Sequence, residues 1–575
     1  NQKRVLMSYQ APVSDYLFIF NNIVNFPQIT LEERFSGATN DLVSAILAEA
    51  GKISNEVLAP LQRAGDLHPA RLENGVVRTS PGFSEAYKSI AENGWVGMAA
   101  KTEYGGMGLP QSLVHAVNEM MGGACLSLQL NPVMTQGQIE ALERHAHEDL
   151  KKIYLPKLIS GEWSGTMNLT EPQAGTDVGA LQTRAISNED GTYAISGQKI
   201  YISWADNDFT ENVCHLVLAR LPEAKAGTKG ISLFLVPKFL PDSQGQPGVS
   251  NSLKVVSLEH KLGLHGSPTG VMQYENATGW MIGMPHNGMP AMFTMMNNAR
   301  LGVGGQGVAV AEAAYQKAFE YATDRVQGVP LNGEKSIFGH ADVRRMLAQM
   351  RADIFAARSI GAACAVAIDM ATATGEKKWI SRAALLTPIT KAFGTDVGID
   401  VAQQGIQVHG GMGFIEESGA SQFLRDVRVT AIYEGTNGIQ AMDLVSRKLM
   451  DGGEAIFDVL DEIESFLATS FDEFKVYSET LTIGVLGLRE TTSWLVQQEL
   501  NDRFAGAVSY LRLCARVLGG YFHLRAAVAS GKGSSREKIA DVYFSRLLPE
   551  HSGLAQAVRR GSGDLFALTE KDLGL

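Results

Sequence analysis

The chain has 575 residues, 45% hydrophobic and 19% charged; this is too long for one compact core and excludes a largely disordered protein. Fifty Lys and Arg against 61 Asp and Glu give a formal net charge of -11, so no general nucleic-acid or acidic-lipid surface is indicated. The apolar stretch Tyr16 to Phe26 is cut by Asn21, Asn22 and Asn25, so neither a membrane span nor a signal peptide is expected, and Met7-Ser8 reads as a natural start. Cys125, Cys214, Cys364 and Cys514 lie far apart with no C-x-x-C and read as four buried thiols in a reducing compartment.

The first 160 residues read as mainly helical. A helix over Asp41–Leu61 is predicted to bury Leu42, Ala45, Ile46, Ile53, Val57 and Leu61, with Glu49 breaking the stripe and Pro60 ending it. Ser84 is the predicted cap of a helix over 85–93, and Gly94 suits its end. A Gly-rich turn at 103–108 precedes an apolar helix over about 112–125. From Gly161 the texture changes. Short β-branched and aromatic runs at 183–186, 193–196, 199–203, 213–219, 231–237 and 271–274 alternate with turns at 188–191, 196–197 and 241–248. They predict an antiparallel barrel or sandwich of about 120 residues.

Helical periodicity returns at Met289. Val308, Ala311, Tyr315, Ala318, Phe319, Ala322 and Val326 mark one face, and Val343, Met346, Leu347, Met350 and Ile354 another. Ala-rich segments at 351–374 and 381–405 complete a helical bundle. Asp451-Gly452-Gly453 is a break, and further helices fill the rest. Within it, 503–560 carries ten Lys or Arg against three acidic residues, a solvated helix face or a surface for an acidic partner; 451–575 as a whole holds 13 basic and 18 acidic residues. The fold class read from this pattern is α+β. The domains run 1–160 (helical), 161–285 (β-barrel), 286–450 (four-helix bundle) and 451–575 (extra helical). No dinucleotide G-x-G-x-x-G follows a strand and no P-loop occurs. The run Gly302 to Gly307, placed at the start of a helix, is either close packing or a phosphate approach.

Four segments carry chemistry jointly. Met167-Asn168-Leu169-Thr170-Glu171-Pro172-Gln173-Ala174-Gly175-Thr176-Asp177 reads as a loop offering hydroxyls and free amides to a cofactor. Gly197 to Ser203 is a strand ending on Tyr201 and Ser203. Gln407-Val408-His409-Gly410-Gly411 lets backbone approach a pyrophosphate, with His409 itself read as a satisfied imidazole. Tyr433-Glu434-Gly435-Thr436 sets one carboxylate beside apolar Ile432 and Tyr433, where a general base with a raised pKa would sit. Each segment alone is equally a turn or a packed strand.

Together, T-E-P-x-A-G-[ST]-D and Y-E-G-T in this order resemble the acyl-CoA dehydrogenase family over about residues 35–450. The resemblance implies helical, β-barrel and four-helix domains, FAD, an acyl-CoA substrate, a homodimer or homotetramer, and an electron-transfer flavoprotein as acceptor in the cytoplasm. Tyr9 to Asp15 and the segment beyond 450 narrow it to the long subgroup acting on 3-methylmercaptopropionyl-CoA in dimethylsulfoniopropionate breakdown, with short- and medium-chain acyl-CoA the alternative. It implies Glu434 as the base taking the α proton. Met167, Leu169, Thr170, Gly175, Thr176, Tyr201, Ser203, Arg325, Gln407, Gly410, Gly411 and Thr436 would contact FAD, Arg325 from the neighbouring subunit. Thr176, Asn297, Arg300 and Gly435 would contact substrate. The rival base position on the bundle helix is Ala299, which closes it. Asn297, Gln327 and Gly438 depart from the family pattern at the adenine contacts. An acyl-CoA oxidase and a flavin-bearing nucleic-acid-binding alkylation-response relative are the competing readings.

Overall fold

The computed structural model describes residues 9–469 and 472–574; Met7-Ser8 lies outside the described residues. Its main helices are α1 (Val13–Asn22), α2 (Asn40–Ile53), α3 (Phe83–Glu92), α4 (Gln111–His145), α5 (Gly288–Asp324), α6 (Ala341–Thr374), α7 (Lys377–His409), α8 (Asn437–Ser446) and α9 (Ala507–Ser530). Packing divides the chain into two compact units. One takes residues up to Gly51, Gln111–Gly123 and Arg300 onward; the other takes Lys52–Pro110 and Ala124–Ala299.

In the second unit the main strands are β1 (Trp163–Asn168), β2 (Arg184–Ser187), β3 (Tyr193–Ser203), β4 (Asn212–Arg220), β5 (Ile231–Pro237), β6 (Leu253–Leu258) and β7 (Thr269–Ile282). They pair in the order β6-β7-β3-β2-β4-β1, and β5 joins β7 to β4, which closes the sheet into a barrel. Its interior is filled by Ile195, Ile202, Val217, Phe234, Val236, Met272 and Tyr274, all buried. Each such side chain contributes roughly 1.5–3 kcal/mol by leaving water. The sheet is not wholly antiparallel, because β1 pairs parallel with β4 and β2 touches β4 in parallel. Ser196-Gly197 is no turn. It lies inside the continuous strand β3, where a Cβ at Gly197 would sit 2.4 Å from the Thr183 hydroxyl. Met167 and Asn168 end a strand rather than opening a loop, and β6 and the hairpin Phe239–Pro241 with Pro247–Ser250 add further β structure.

The early helices keep their existence but shift in detail. Val43, Leu47, Ala50 and Ile53 are the buried face of α2, whereas Leu42 is exposed. The apolar stripe is thus rotated by one residue, and the chain passes through a π turn at Ser54–Leu58 into a new helix Leu61–Leu67 instead of stopping at Pro60. Gly82, not Ser84, caps α3, while Gly94 ends it as expected. The helix placed at 112–125 is α4, which continues to His145 past a kink at Cys125.

In the first unit Val308, Ala311, Ala318 and Ala322 are buried on α5, Phe319 is exposed and Val326 lies beyond the helix end. The glycine run 302–307 is mid-helix. A Cβ on Gly304 would come within 2.6 Å of the Thr390 carbonyl oxygen, so these glycines bring α5 against α7 and not against a phosphate. Among the described helices, α6 alone is long and apolar enough to cross a bilayer, and most of that stretch is buried core. At the centre the fully buried Arg358 of α6 bonds Glu119, Asp15 and Glu312 at 2.6–2.9 Å. Arg351 and Arg536 complete the network through Glu312 and Asp15, so three carboxylates face three guanidiniums.

Asp451 accepts amide hydrogens from Gly453 and Glu454 at the expected break. Beyond it α9 packs against α6, α7 and α8. Part of the basic stretch is neutralised: Arg512 and Arg516 pair with Glu550, Arg516 with Asp353, and Arg536 with Asp15. Arg503 donates to backbone carbonyls, including that of Val445 at the end of α8. The four cysteines are buried.

Candidate active site

The turn bearing Glu434 leads into α8. Thr436 caps that helix by accepting the Ile439 amide hydrogen, so the helix begins at Asn437. Glu434 has φ of +58° and Gly435 +81°. A left-handed glutamate is strained and persists only where its surroundings hold it. Here they do. Gln440 donates to the carbonyls of Glu434 and Gly435 at 3.1 and 3.3 Å, and Arg300 donates to the Glu434 carbonyl at 3.4 Å. Lys391 donates to the Gly435 carbonyl and to Asn437 Oδ1, both at 2.9 Å. The Tyr433 hydroxyl is bonded to Gln306.

The Glu434 carboxylate accepts no hydrogen bond among the described residues, and its amide N–H is likewise uncommitted. Its side chain is partly exposed, yet enough protein surrounds it for desolvation to dominate. Desolvation lifts its pKa from 4.5 to about 7 against the opposing charges of Arg300 and Lys391. A carboxylate titrating near neutrality, with a free amide in the same turn, can remove a proton and donate a hydrogen bond to the charge that develops nearby.

The other expected residues of this unit behave as a surface. Gln407, Gly410 and Gly411 are exposed at the end of α7, Gly410 has φ of +59°, and a Cβ on either glycine would meet nothing within 4 Å. Arg325 is exposed, with no ion-pair partner among the described residues. His409 is stacked on Tyr321 and bonded to the Gly405 carbonyl, a satisfied core imidazole.

In the barrel unit, Glu171 points inward rather than toward a ligand. It accepts hydrogen bonds from the Gln182 and Thr183 amides and pairs with the fully buried Lys199 at 2.8 Å, which also bonds the Leu169 carbonyl. Burial pushes its carboxyl up, but Lys199 and these donors override that and hold it at about 2. The anchored loop leaves Thr170 part-exposed and Gly175 and Thr176 exposed; Leu169 is buried and Met167 partly so. Tyr201 is 63% exposed with φ of +58°, and Ser203 lies two residues along the same strand. Asn297 is exposed on α5, and Ala299 is buried.

Sequence reasoning missed Lys391, Asn437, Gln440 and Gln306 around the base, and Lys199 behind the loop. The available signal was a lysine set in the apolar run Pro388 to Gly394 of α7, a residue that needs a partner if the helix is buried.

Family models agree with this arrangement. The acyl-CoA dehydrogenase N-terminal domain matches residues 44–162, the middle domain 166–277 and the C-terminal domain 286–449; a model described as acetyl-CoA dehydrogenase C-terminal like matches 459–569. The chain is 41% identical over 571 residues to 3-methylmercaptopropionyl-CoA dehydrogenase of Ruegeria pomeroyi, covering 95% of this chain and 97% of that one. The chain belongs to the acyl-CoA dehydrogenase family. It is also 32% identical over 550 residues to a butyryl-CoA dehydrogenase of Syntrophomonas wolfei, covering 88% and 90% of the two chains. An acyl-CoA dehydrogenase from Bacillus anthracis, solved with FAD, shares the fold at a TM-score of 0.76 and 20% identity over 98% of this chain and 95% of that one. As an acyl-CoA dehydrogenase this protein is an oxidoreductase acting on acyl-CoA thioesters with FAD as cofactor. In the first unit, the unobstructed Gly410-Gly411 backbone and Arg325, which has no ion-pair partner among the described residues, leave room for a phosphate-bearing group; in the second, Tyr201 is an exposed ring on a left-handed residue.

Proposed function

We propose that the protein dehydrogenates 3-methylmercaptopropionyl-CoA to methylthioacryloyl-CoA, with Glu434 as the base. The observation that carries the chemical half is the Glu434 carboxylate, free of hydrogen bonds and titrating at about 7. The substrate half is supported by the 41% identity to a dehydrogenase of that name.

A thioester carbonyl acidifies the adjacent α carbon. The ionised Glu434 takes that proton onto a carboxylate oxygen as the α–β double bond forms. The Glu434 amide, uncommitted among the described residues, would donate to the thioester oxygen, which gains negative charge in this step; one such donor is worth roughly 3–4 kcal/mol. FAD, when bound, supplies the acceptor for the hydride leaving the β carbon. Met167, Leu169, Thr170, Gly175, Thr176, Tyr201 and Ser203 would hold the flavin end. Arg325, Gln407, Gly410, Gly411 and Thr436 would hold the dinucleotide, Arg325 from a second copy of the chain. Thr176, Asn297, Arg300 and Gly435 would meet the acyl-CoA. The Thr436 hydroxyl is already engaged as a helix cap, which favours its backbone for that contact.

In this reading an electron-transfer flavoprotein takes the electrons, the enzyme is a cytoplasmic homodimer or homotetramer, and function divides along 1–160, 161–285, 286–450 and 451–575. Turnover of 3-methylmercaptopropionyl-CoA against butyryl-CoA and octanoyl-CoA, with an electron-transfer flavoprotein as acceptor, tests the substrate. A preference for either straight-chain thioester overturns it, and full turnover on oxygen alone with peroxide release makes the enzyme an oxidase.

A further inference from the structure

Lys391 is fully buried and bonded to the Glu434 turn. It rises from α7, and its ammonium bridges the residue after the base to the first residue of α8. Asn437, the second acceptor, is itself fixed: its side-chain amide donates to Thr395 at 2.9 Å and Asp396 at 2.8 Å, both on α7 one turn beyond the lysine. The turn is therefore clamped to α7 through Lys391 and Asn437 and to its own helix through Gln440.

Geometry alone would not demand a charge there. A neutral donor could bond the Gly435 carbonyl, and burying an ammonium costs several kcal/mol unless its surroundings repay it. Burial lowers the Lys391 pKa to about 8, so it is charged below that pH, and the charges around it say what offsets part of the cost. Glu434 faces it from the turn, Asp396 from its own helix and Arg300 from α5; the Tyr433 phenol borders the base, and Arg428 and Arg512 act on Asp396. Of these groups Glu434 is the strongest attraction on Lys391. In turn Arg300 and Lys391 are the two cations that oppose the desolvation of Glu434.

We propose that Lys391 is a positioning residue for the dehydrogenation: its ammonium pins to α7 the left-handed turn that presents Glu434. This rests on the reading of Glu434 as the base. The lysine touches neither reacting carbon and acts only through the glutamate. Its positive charge lowers the cost of ionising a carboxylate that burial otherwise protonates, so its loss moves the titration of the base upward.

The test is anaerobic bleaching of the FAD-loaded enzyme by whichever of 3-methylmercaptopropionyl-CoA and butyryl-CoA the wild type reduces faster, followed across pH 5.5–9. For K391Q, which keeps a donor and loses the charge, the midpoint of the rate-against-pH curve moves up by about one unit and the rate below it falls about tenfold. For K391R, which keeps the charge on a different shape, the midpoint stays at the wild-type value while the rate drops. K391Q with the wild-type midpoint and rate overturns the proposal, as does K391R shifted as far as K391Q. If K391Q does not load FAD, K391R alone decides. An unmoved midpoint with a lower rate supports the proposal, and a raised midpoint or an unchanged rate ends it. E434Q separates the two layers: bleaching by E434Q at the wild-type rate removes the base itself, whereas an inactive E434Q beside an unshifted K391Q removes only the lysine.

Discussion

Arg358 and Glu119 are joined by two hydrogen bonds, at 2.7 and 2.9 Å, and neither side chain is exposed. They belong to α6 and α4 and lie more than 200 residues apart, so the pair closes a long loop of chain at the heart of its unit. Removing the arginine would leave the Glu119, Asp15 and Glu312 carboxylates buried with fewer partners. R358M is expected to lose about 3–5 kcal/mol of stability. Urea denaturation monitored by circular dichroism reads this directly, and a midpoint equal to wild type would show that the network contributes nothing.

With Glu434 as the proposed base, its titration is expected to set the pH dependence of the chemical step. Its folded pKa, about 7, lies above the 4.5 of a free glutamate, so the protonated form is favoured in the fold. A base so shifted is inactive at low pH, so the flavin bleaching rate is expected to climb as pH rises through about 7. The same displacement makes its contribution to stability complete below about 4.5 and lost as pH rises through 7. E434Q is expected to stay yellow and folded while bleaching slows by about 100-fold or more. A pH-independent rate in the wild type would contradict this.

Arg325 has no carboxylate partner among the described residues, and the dinucleotide phosphates are its expected partner. R325A is expected to weaken FAD retention by about 1.5–3 kcal/mol, the worth of a charged hydrogen bond. Flavin absorbance after gel filtration measures it. Equal retention in variant and wild type would remove the arginine from the cofactor site.

Gly304 packs α5 onto α7 where any Cβ would strike backbone. G304A is expected to destabilise by about 1–3 kcal/mol, because a helix rather than a flexible side chain has to move. Differential scanning calorimetry checks it, and an unchanged melting temperature would mean the helices separate freely.

The sequence made the chemistry easier to read than the packing. Glu434 was legible because Ile432 and Tyr433 announce a desolvated carboxylate, and the family motifs give its order in the chain. Long helices and the strands β4 and β5 were legible from period and β-branched texture. Less legible was anything set by contact between distant segments. Glu171 stands within a loop read as offering hydroxyls and amides, and Lys199, 28 residues away, makes it a tether. The glycines at 302–307 look like a phosphate turn until Thr390 and Gly394 are found against them. On α2 the buried stripe differs from the predicted one by a single residue, because several apolar side chains compete for one face and neighbours decide among them. Lys391 was overlooked for the same reason: its partners arrive from 44 and 46 residues downstream.

The helix that starts three residues after Glu434 is held at its far end by Arg503 and covered along its side by α9. A chain cut at Gly452 would therefore not shed an appendage. It would strip α9 from the side of α8 and free the end held by Arg503, leaving the segment that carries Glu434 anchored at one end only, so truncated versions made for crystallisation or fusion should be judged by their catalysis as well as their yield.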